Sequence, residues 1–464
     1  MIPCLFFSQH LDIGATLPQD TPDQNEFWFL PLGGCGEIGM NMNLYGHDGQ
    51  WLMVDCGVCF DNKIRAAEDR VFCADPQFIG SRRQRLSGLV ITHAHQDHIG
   101  AVAALWPQLR CPIYTTPFTA VLLHAKLREH KLDGKVTVHE VSCNATLSIG
   151  PFSVTWFLLT HSIPEPCALM IETPLGRVFH TADWKLDPSP VLGPPFNKGA
   201  YKRLGNLGID AIVCDSTNAT KVGRSISEHS VYLGLKKTIA GQEGRIIVTC
   251  FGSNVARMVS VIRSAQACGR YVGILGRSME LMIRAAKLSG HWPDDLKLSD
   301  PGHLGYLPKN EVLILTTGSQ GEPRATLSRL AANTHRSLEL DAGDTVIFSS
   351  MTIPGNEEPV SNLIKQLQTR GVQVIQAQTS NTCLHASGHP CQDELADVYQ
   401  WTKPKLAIPV HGEETHMRAN AKVAYANGVE KALTGENGDL FVIKPSPGIR
   451  RRFTKPGQVN LLDH

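Results

Sequence analysis

Between Thr92 and Gly100 the chain reads Thr-His-Ala-His-Gln-Asp-His-Ile-Gly, which sets His93, His95, Asp97 and His98 almost side by side. Nitrogen and carboxylate donors at that density suit a borderline ion such as Zn2+. Without a cation, their burial and mutual repulsion would oppose folding. The stretch follows the apolar run Gly88–Ile91 and precedes the helix-like run from Ala101, so it reads as a strand-to-helix loop. His93 and His95 would serve one metal, and Asp97 and His98 a second. Both metals need further donors.

Candidates stand at the ends of other apolar runs: Asp55 closes Trp-Leu-Met-Val-Asp, His161 closes Val-Thr-Trp-Phe-Leu-Leu-Thr-His, and Asp183 closes Arg-Val-Phe-His-Thr-Ala-Asp. A strand that ends in one ligand-type residue places that side chain at a sheet edge, where active sites of layered α/β folds gather. Taken singly, each is as readily a turn cap. Together with the histidine loop, His161 and Asp183 are the stronger ligand candidates.

These motifs resemble those of the metallo-β-lactamase superfamily. The resemblance implies that Asp55 orients the histidine loop from behind the ligands, that His161 completes the first metal, and that Asp183 bridges both. His180, in the alternate register, would stand behind the ligands. Beyond Asp183 the chain resembles the β-CASP nucleases of the ribonuclease J type over nearly its whole length. That likeness rests on LGGCGEIGMNMNLYG at 32–46, DSTNAT at 215–220, SE at 227–228, TCFGSNVARM at 249–258, GRSME at 276–280, TGSQGEPRATLSR at 317–329, IPGNE at 353–357, HASGH at 385–389 and PVHGE at 409–413.

The resemblance makes Asp215, His389 and His411 the three further family motifs. His411 would ligate the second metal, Asp215 would steady its imidazole, and His389 would touch the scissile phosphate or protonate the leaving oxygen. A histidine at position 411 favours RNA over DNA. Two Zn2+ per chain are implied, with Mn2+ or Mg2+ as other working ions, and with Asp97, Asp215 and His389 central to catalysis. Water activated by the cations would attack phosphorus in line and leave a 5′-phosphate and a 3′-hydroxyl. His385, Ser387, Gly388 and His389 would form a pocket for a 5′-monophosphate, with 5′-to-3′ exonuclease and endonuclease modes in RNA processing or decay; a plain structural turn is the other reading of this stretch.

These side chains need a framework. Short apolar strands separated by turns dominate from residue 27, and alternating helix and buried-strand units begin near residue 225. The fold class expected is α/β: a metallo-β-lactamase αββα sandwich with an inserted parallel β-CASP domain. The expected divisions are a lead-in at 1–26, sandwich at 27–224, insertion at 225–380, sandwich again at 381–444 and a linker-like tail at 445–464. The family's usual C-terminal domain would then be missing, which leaves self-association into a homo-oligomer open.

Lys and Arg total 44 against 43 Asp and Glu, a net charge of +1, so no global field attracts a polyanion and any RNA must be held locally. Thirteen irregularly spaced cysteines favour a reducing compartment. The start lacks a leader pattern, and no apolar run approaches the roughly 18 residues a membrane span requires. A cytoplasmic protein without a membrane partner is expected.

Other signals carry less. Gly34 to Gly39 fits GxGxxG, but the alternating Met40–Leu44 that follows reads as strand, so a tight turn at the site's edge is expected rather than a dinucleotide site. Cys56 and Cys59 form a CxxC read as structural. Arg257, Arg277 and Arg329 are candidates for lining an RNA groove or for solvated surface, and Arg450–Arg452 for a charged tail. His124, His130 and His139 read as surface or packing residues. Two other functions fit parts of the pattern: hydrolysis of a small ester or thioester, and RNA binding without catalysis. The inserted domain argues against the first and the full set of ligand positions against the second.

Overall fold

Phe27–Gly33 is buried at every position because both of its faces are covered. Phe27 and Phe29 enter a core with Tyr45, Leu52, Phe152 and Trp156, while Trp28 and Leu30 enter another with Trp51, Met53, Ile99 and Leu105. Alternate residues of one strand thus serve two layers. The computed structural model describes residues 20–60, 71–336 and 338–461. Most of the expected lead-in, residues 1–19, lies outside them.

An eight-stranded sheet runs in space from Gly448–Arg450 through Leu440–Lys444, Phe27–Gly33, Met42–His47, Gln50–Val54, Leu86–Val90 and Ile113–Thr115 to Val138–Glu140. A seven-stranded sheet faces it, running from Lys431–Ala432 through Leu406–Val410, Ala211–Asp215, Gly176–His180, Cys167–Thr173 and Phe152–Leu158 to Thr146–Ile149. Helix Val102–Leu109 covers the outer face of the first sheet, and helices Lys198–Leu207 and Gln392–Thr402 that of the second. This is the αββα sandwich.

A separate sheet orders Tyr271–Leu275, Val312–Thr316, Ile246–Thr249, Thr345–Phe348 and Gln373–Gln376, with every pairing parallel. Apolar clusters cover both of its faces, as an all-parallel sheet requires. No helix among the described residues is long and apolar enough to cross a membrane.

Two expectations need correction. The segment after residue 445 is no linker: Gly448–Arg450 pairs with Leu440–Lys444, and Gln458–Asn460 pairs with Val71–Ala74. Phe453 packs edge-on against Trp28 at 5.7 Å, and the Arg450 guanidinium lies 5.1 Å from the same indole. Pro, Gly and Arg suggested solvation, but Ile449, Phe453 and Val459 find apolar faces and the arginine stacks.

Arg257, read as a groove or surface arginine, is buried. Its Nε and Nη2 fork onto the Glu228 carboxylate at 2.6 and 3.0 Å. Its Nη1 donates to the Ser349 carbonyl at 2.6 Å and the Leu384 carbonyl at 3.3 Å. The guanidinium therefore ties the inserted domain to the segment leading into His385, in the bidentate geometry for which a planar fork is suited. Arg277 and Arg329 are exposed. Cys56 is buried and Cys59 Sγ lies 3.7 Å from Met40 Sδ, in keeping with a structural role.

Arg257→Met would leave the Glu228 charge buried and uncompensated, and is expected to destabilise the fold by about 3–5 kcal/mol. Denaturant unfolding measures this, and Glu228→Gln added to Arg257→Met should recover part of the loss. A single-variant loss below about 1 kcal/mol would mean that the pair adds little to the fold.

Candidate metal centre

The donors leave from the ends of different strands. Asp55 follows Gln50–Val54, the histidine loop follows Leu86–Val90, Asp183 follows Gly176–His180, Asp215 ends Ala211–Asp215, and His411 follows Leu406–Val410. Parallel pairings place Val54 beside Val90, and Asp215 beside Val410, so these ends lie at one edge. Asp55, Ala182 and His411 carry φ of 64°, 49° and 51°, left-handed values that turn the chain sharply where it leaves the sheet.

His93, His95, His161 and Asp183 form one group of four donors, each within 4.8 Å of the others. His161 Nδ1 lies 2.6 Å from the Gly388 carbonyl, which can only accept, so its Nε2 presents a lone pair. The Thr92 hydroxyl donates to Asp55 Oδ2 at 2.9 Å, so at 3.0 Å it can only accept from His93 Nδ1, and His93 Nε2 is likewise left with a lone pair. Both Nε2 atoms lie 3.1 Å from His95 Nδ1. One N–H there would satisfy one lone pair and leave the other facing it, whereas a cation among the three satisfies all, with Asp183 supplying charge. The donor set thus fits a metal ion. Gly388 is required for this packing, since a Cβ would come 2.6 Å from His161 Cε1.

Asp97, His98, Asp183 and His411 form a second group, again within 4.8 Å, and Asp183 belongs to both. Asp55 Oδ2 accepts from His98 Nδ1 at 2.7 Å, and its Oδ1 takes the Thr92 N–H at 2.8 Å. Asp55 therefore braces the loop from behind. Asp215 Oδ2 lies 2.7 Å from His389 Nδ1, and the His389 ring is 5.2 Å from His161 and 5.6 Å from His411. The Ser387 hydroxyl accepts from Asn218 Nδ2 at 2.7 Å and from the His389 N–H at 3.3 Å, leaving its own hydrogen to donate. His385 stands 3.5 Å from Arg257 Nη1. His180 lies behind the ligands, with Nδ1 2.9 Å from the Tyr45 hydroxyl.

Charge differs between the two groups. Burial holds His93 and His161 below the usual imidazole range and brings His95 to about 4. Burial also opposes charge on His98 and His411, but Asp183 and the neighbouring carboxylates outweigh it, so both are held well above their usual value. Asp97 and Asp183 are correspondingly lowered: burial opposes their charge, and nearby imidazoles overcome it. Burial, followed by the charges of Arg257, Lys185 and Lys221, lowers His385 to about 3.

Several contributors escaped the sequence reading. Asn41 Nδ2 donates to the Asp97 carbonyl at 3.1 Å and sits 3.1 Å from His98 Nε2. The turn before it is the one expected at the site's edge: Gly34, Gly36 and Gly39 have φ of 85°, 90° and 97°, and the Gly34 carbonyl accepts the His411 N–H at 2.6 Å, a contact the sequence did not reveal. Thr217 lies between Asp215 and His411, and Asn218 anchors Ser387. The DSTN run drew attention to Asp215 but not to Thr217 or Asn218.

Comparison with known proteins agrees with this geometry. Residues 36–216 match the metallo-beta-lactamase superfamily, residues 243–367 the ribonuclease J beta-CASP domain, and residues 373–433 the Zn-dependent metallo-hydrolase RNA specificity domain. Ribonuclease J of Sinorhizobium meliloti is 42% identical over 437 residues, covering 93% of this chain and 77% of its own. The chain belongs to the ribonuclease J family. Ribonuclease J of Mycolicibacterium smegmatis is 41% identical over 412 residues, 88% of this chain and 73% of its own. Among solved structures, a protein of unknown function from Enterococcus faecalis V583 is similar in fold, with a TM-score of 0.64 at 14% identity over 90% of this chain and 100% of its own. For this ribonuclease J family member, the metallo-beta-lactamase match implies divalent metal.

The charge asymmetry has a measurable result. A cation at the first group meets imidazoles already neutral, whereas one at the second must displace protons from His98 and His411. Zinc affinity at the second group should therefore fall as pH drops through the neutral range, while the first changes little. Calorimetric titration of metal-stripped protein at about pH 7 in two buffers of different ionisation heat reads the released protons. Equal release at both steps would refute this assignment of charge.

Proposed function

We propose that this chain is a two-metal ribonuclease acting in the cytoplasm on 5′-monophosphorylated RNA, cutting 5′ to 3′ from that end and also internally. Membership of the family makes it a metal-dependent, RNA-hydrolysing enzyme. The observation that carries the finer reading is the convergence of three four-donor groups on Asp183: the two described above and a third of Asp183, Asp215, His389 and His411.

When bound, the cations lower the pKa of water toward neutrality and offset the charge that builds on phosphorus oxygens. The chain's own groups do the rest. His93, His95 and His161 would hold one ion, and Asp97, His98 and His411 the other, with Asp183 common to both. Asp215 Oδ2 accepts a hydrogen bond from His389 Nδ1–H, so Nε2 is free to face substrate. Burial opposes charge on that ring, but Asp215 and Asp183 outweigh it and raise its pKa, which suits it to protonate the leaving oxygen. The Ser387 hydroxyl, the Gly388 backbone and His385 lie next to His389 and suit a terminal phosphate. Buried free thiols such as Cys35, Cys111, Cys214 and Cys250 support a reducing compartment.

End-labelled RNA tests this directly. Chelation or Asp97→Ala should abolish cleavage, and His389→Ala should slow it about 10²–10⁴-fold. Undiminished cleavage in chelator would end the metal mechanism, and equal rates on 5′-phosphate and 5′-hydroxyl ends would end the terminal-phosphate pocket.

A further inference from the structure

Two carboxylates brace this site in the same way. Asp55 Oδ2 holds His98 Nδ1 directly at 2.7 Å, and the Thr92 hydroxyl lies 2.9 Å from that oxygen and 3.0 Å from His93 Nδ1. Asp215 Oδ2 holds His389 Nδ1 directly at 2.7 Å, and the Thr217 hydroxyl lies 2.7 Å from Asp215 Oδ1 and 2.9 Å from His411 Nδ1. Each acid thus serves one imidazole directly and a second through a threonine.

We propose that Thr217 is a positioning residue whose hydroxyl links Asp215 to His411 and fixes Nε2 of His411 as the nitrogen offered to the second cation. The proposal rests on the two-metal reading above. Its logic is the hydroxyl's single hydrogen. An ionised carboxylate accepts and never donates, so the hydrogen of Thr217 goes to Asp215 Oδ1. The other available acceptor, the His411 carbonyl, is neutral and farther away at 3.2 Å. The Thr217 oxygen then has lone pairs left, and the His411 Nδ1 proton occupies one.

Nδ1 therefore keeps its hydrogen. Nε2 is left as the position from which a cation can displace a proton, and it stands 3.2 Å from Asp97 Oδ2 in the second donor group. Neither carboxylate does this unaided: Nδ1 lies 3.5 Å from Asp215 Oδ1 and 3.6 Å from Asp183 Oδ1, beyond ordinary N–H···O length. The hydroxyl is itself held in place, because the Thr217 N–H donates to the same Asp215 oxygen at 2.8 Å. The family resemblance assigned the steadying of His411 to Asp215 alone; here the acid acts through the hydroxyl.

The test is zinc titration of metal-stripped full-length protein against a chromophoric chelator, with Asp97→Ala marking which step belongs to the second group. Thr217→Val keeps the side chain's shape and removes the hydroxyl, and should weaken the second step about 10–100-fold while sparing the first. Thr217→Ser should restore the native value. Thr92→Val, which removes the equivalent link to His93, should weaken the first step. The proposal fails if Thr217→Val takes up both ions with native affinity, if it weakens both steps equally, or if Thr217→Ser does not restore the second. Wild-type protein that binds both ions yet leaves RNA intact would sink the ribonuclease reading and leave this assignment standing.

Discussion

Asp183 faces four imidazoles: His98 at 3.3 Å, His411 at 3.6 Å, His161 at 3.7 Å and His93 at 3.8 Å. The carboxylate is buried, so bulk water screens little of its charge. Its negative charge holds the His98 and His411 imidazoles well above their usual pKa, and it is the one donor common to all three four-donor groups among the described residues. A neutral residue at this position would leave two sets of imidazoles with no shared counter-charge. The site's charge balance hangs on this one side chain.

The sandwich exists to bring such groups to one edge. Phe27–Gly33, Ala211–Asp215 and Leu406–Val410 are buried and almost wholly apolar along their length, so the polar donors of these segments fall at or just beyond the strand ends. Parallel pairing then aligns those ends. The left-handed turns at Asp55, Ala182 and His411 convert strand direction into side-chain direction, a strain of about 1–3 kcal/mol each that the surrounding packing holds in place.

What could be read from sequence followed from how local the signal was. His93 to His98 fall on one loop, so spacing alone exposed them. Asp55, His161 and Asp183 were legible as single donors at the ends of apolar runs. Asn41 and Thr217 were not, because amides and hydroxyls are common and these two matter only through partners brought close by folding: Asp97 for the first, His411 for the second. Arg257 was misread for a related reason: a cation beside Gly and Ser looks solvated until its acid, Glu228, arrives from another helix. The segment after residue 445 looked like linker because its few apolar residues are spaced among Pro, Gly and Arg, and the faces they cover are made elsewhere in the chain.

One contact carries a mechanical meaning as well as a chemical one. Asp215 and His389 sit at the two points where the chain leaves the sandwich for the parallel domain and returns from it, and they touch at 2.7 Å. That hydrogen bond is one of several contacts that tie the departing and returning segments together: Asn218 Nδ2 also donates to the Ser387 hydroxyl at 2.7 Å, and the Ser225 hydroxyl donates to the Glu394 carboxylate at 2.7 Å. The aim of the His389 imidazole is therefore set at the seam between these two segments, and not by either of them alone.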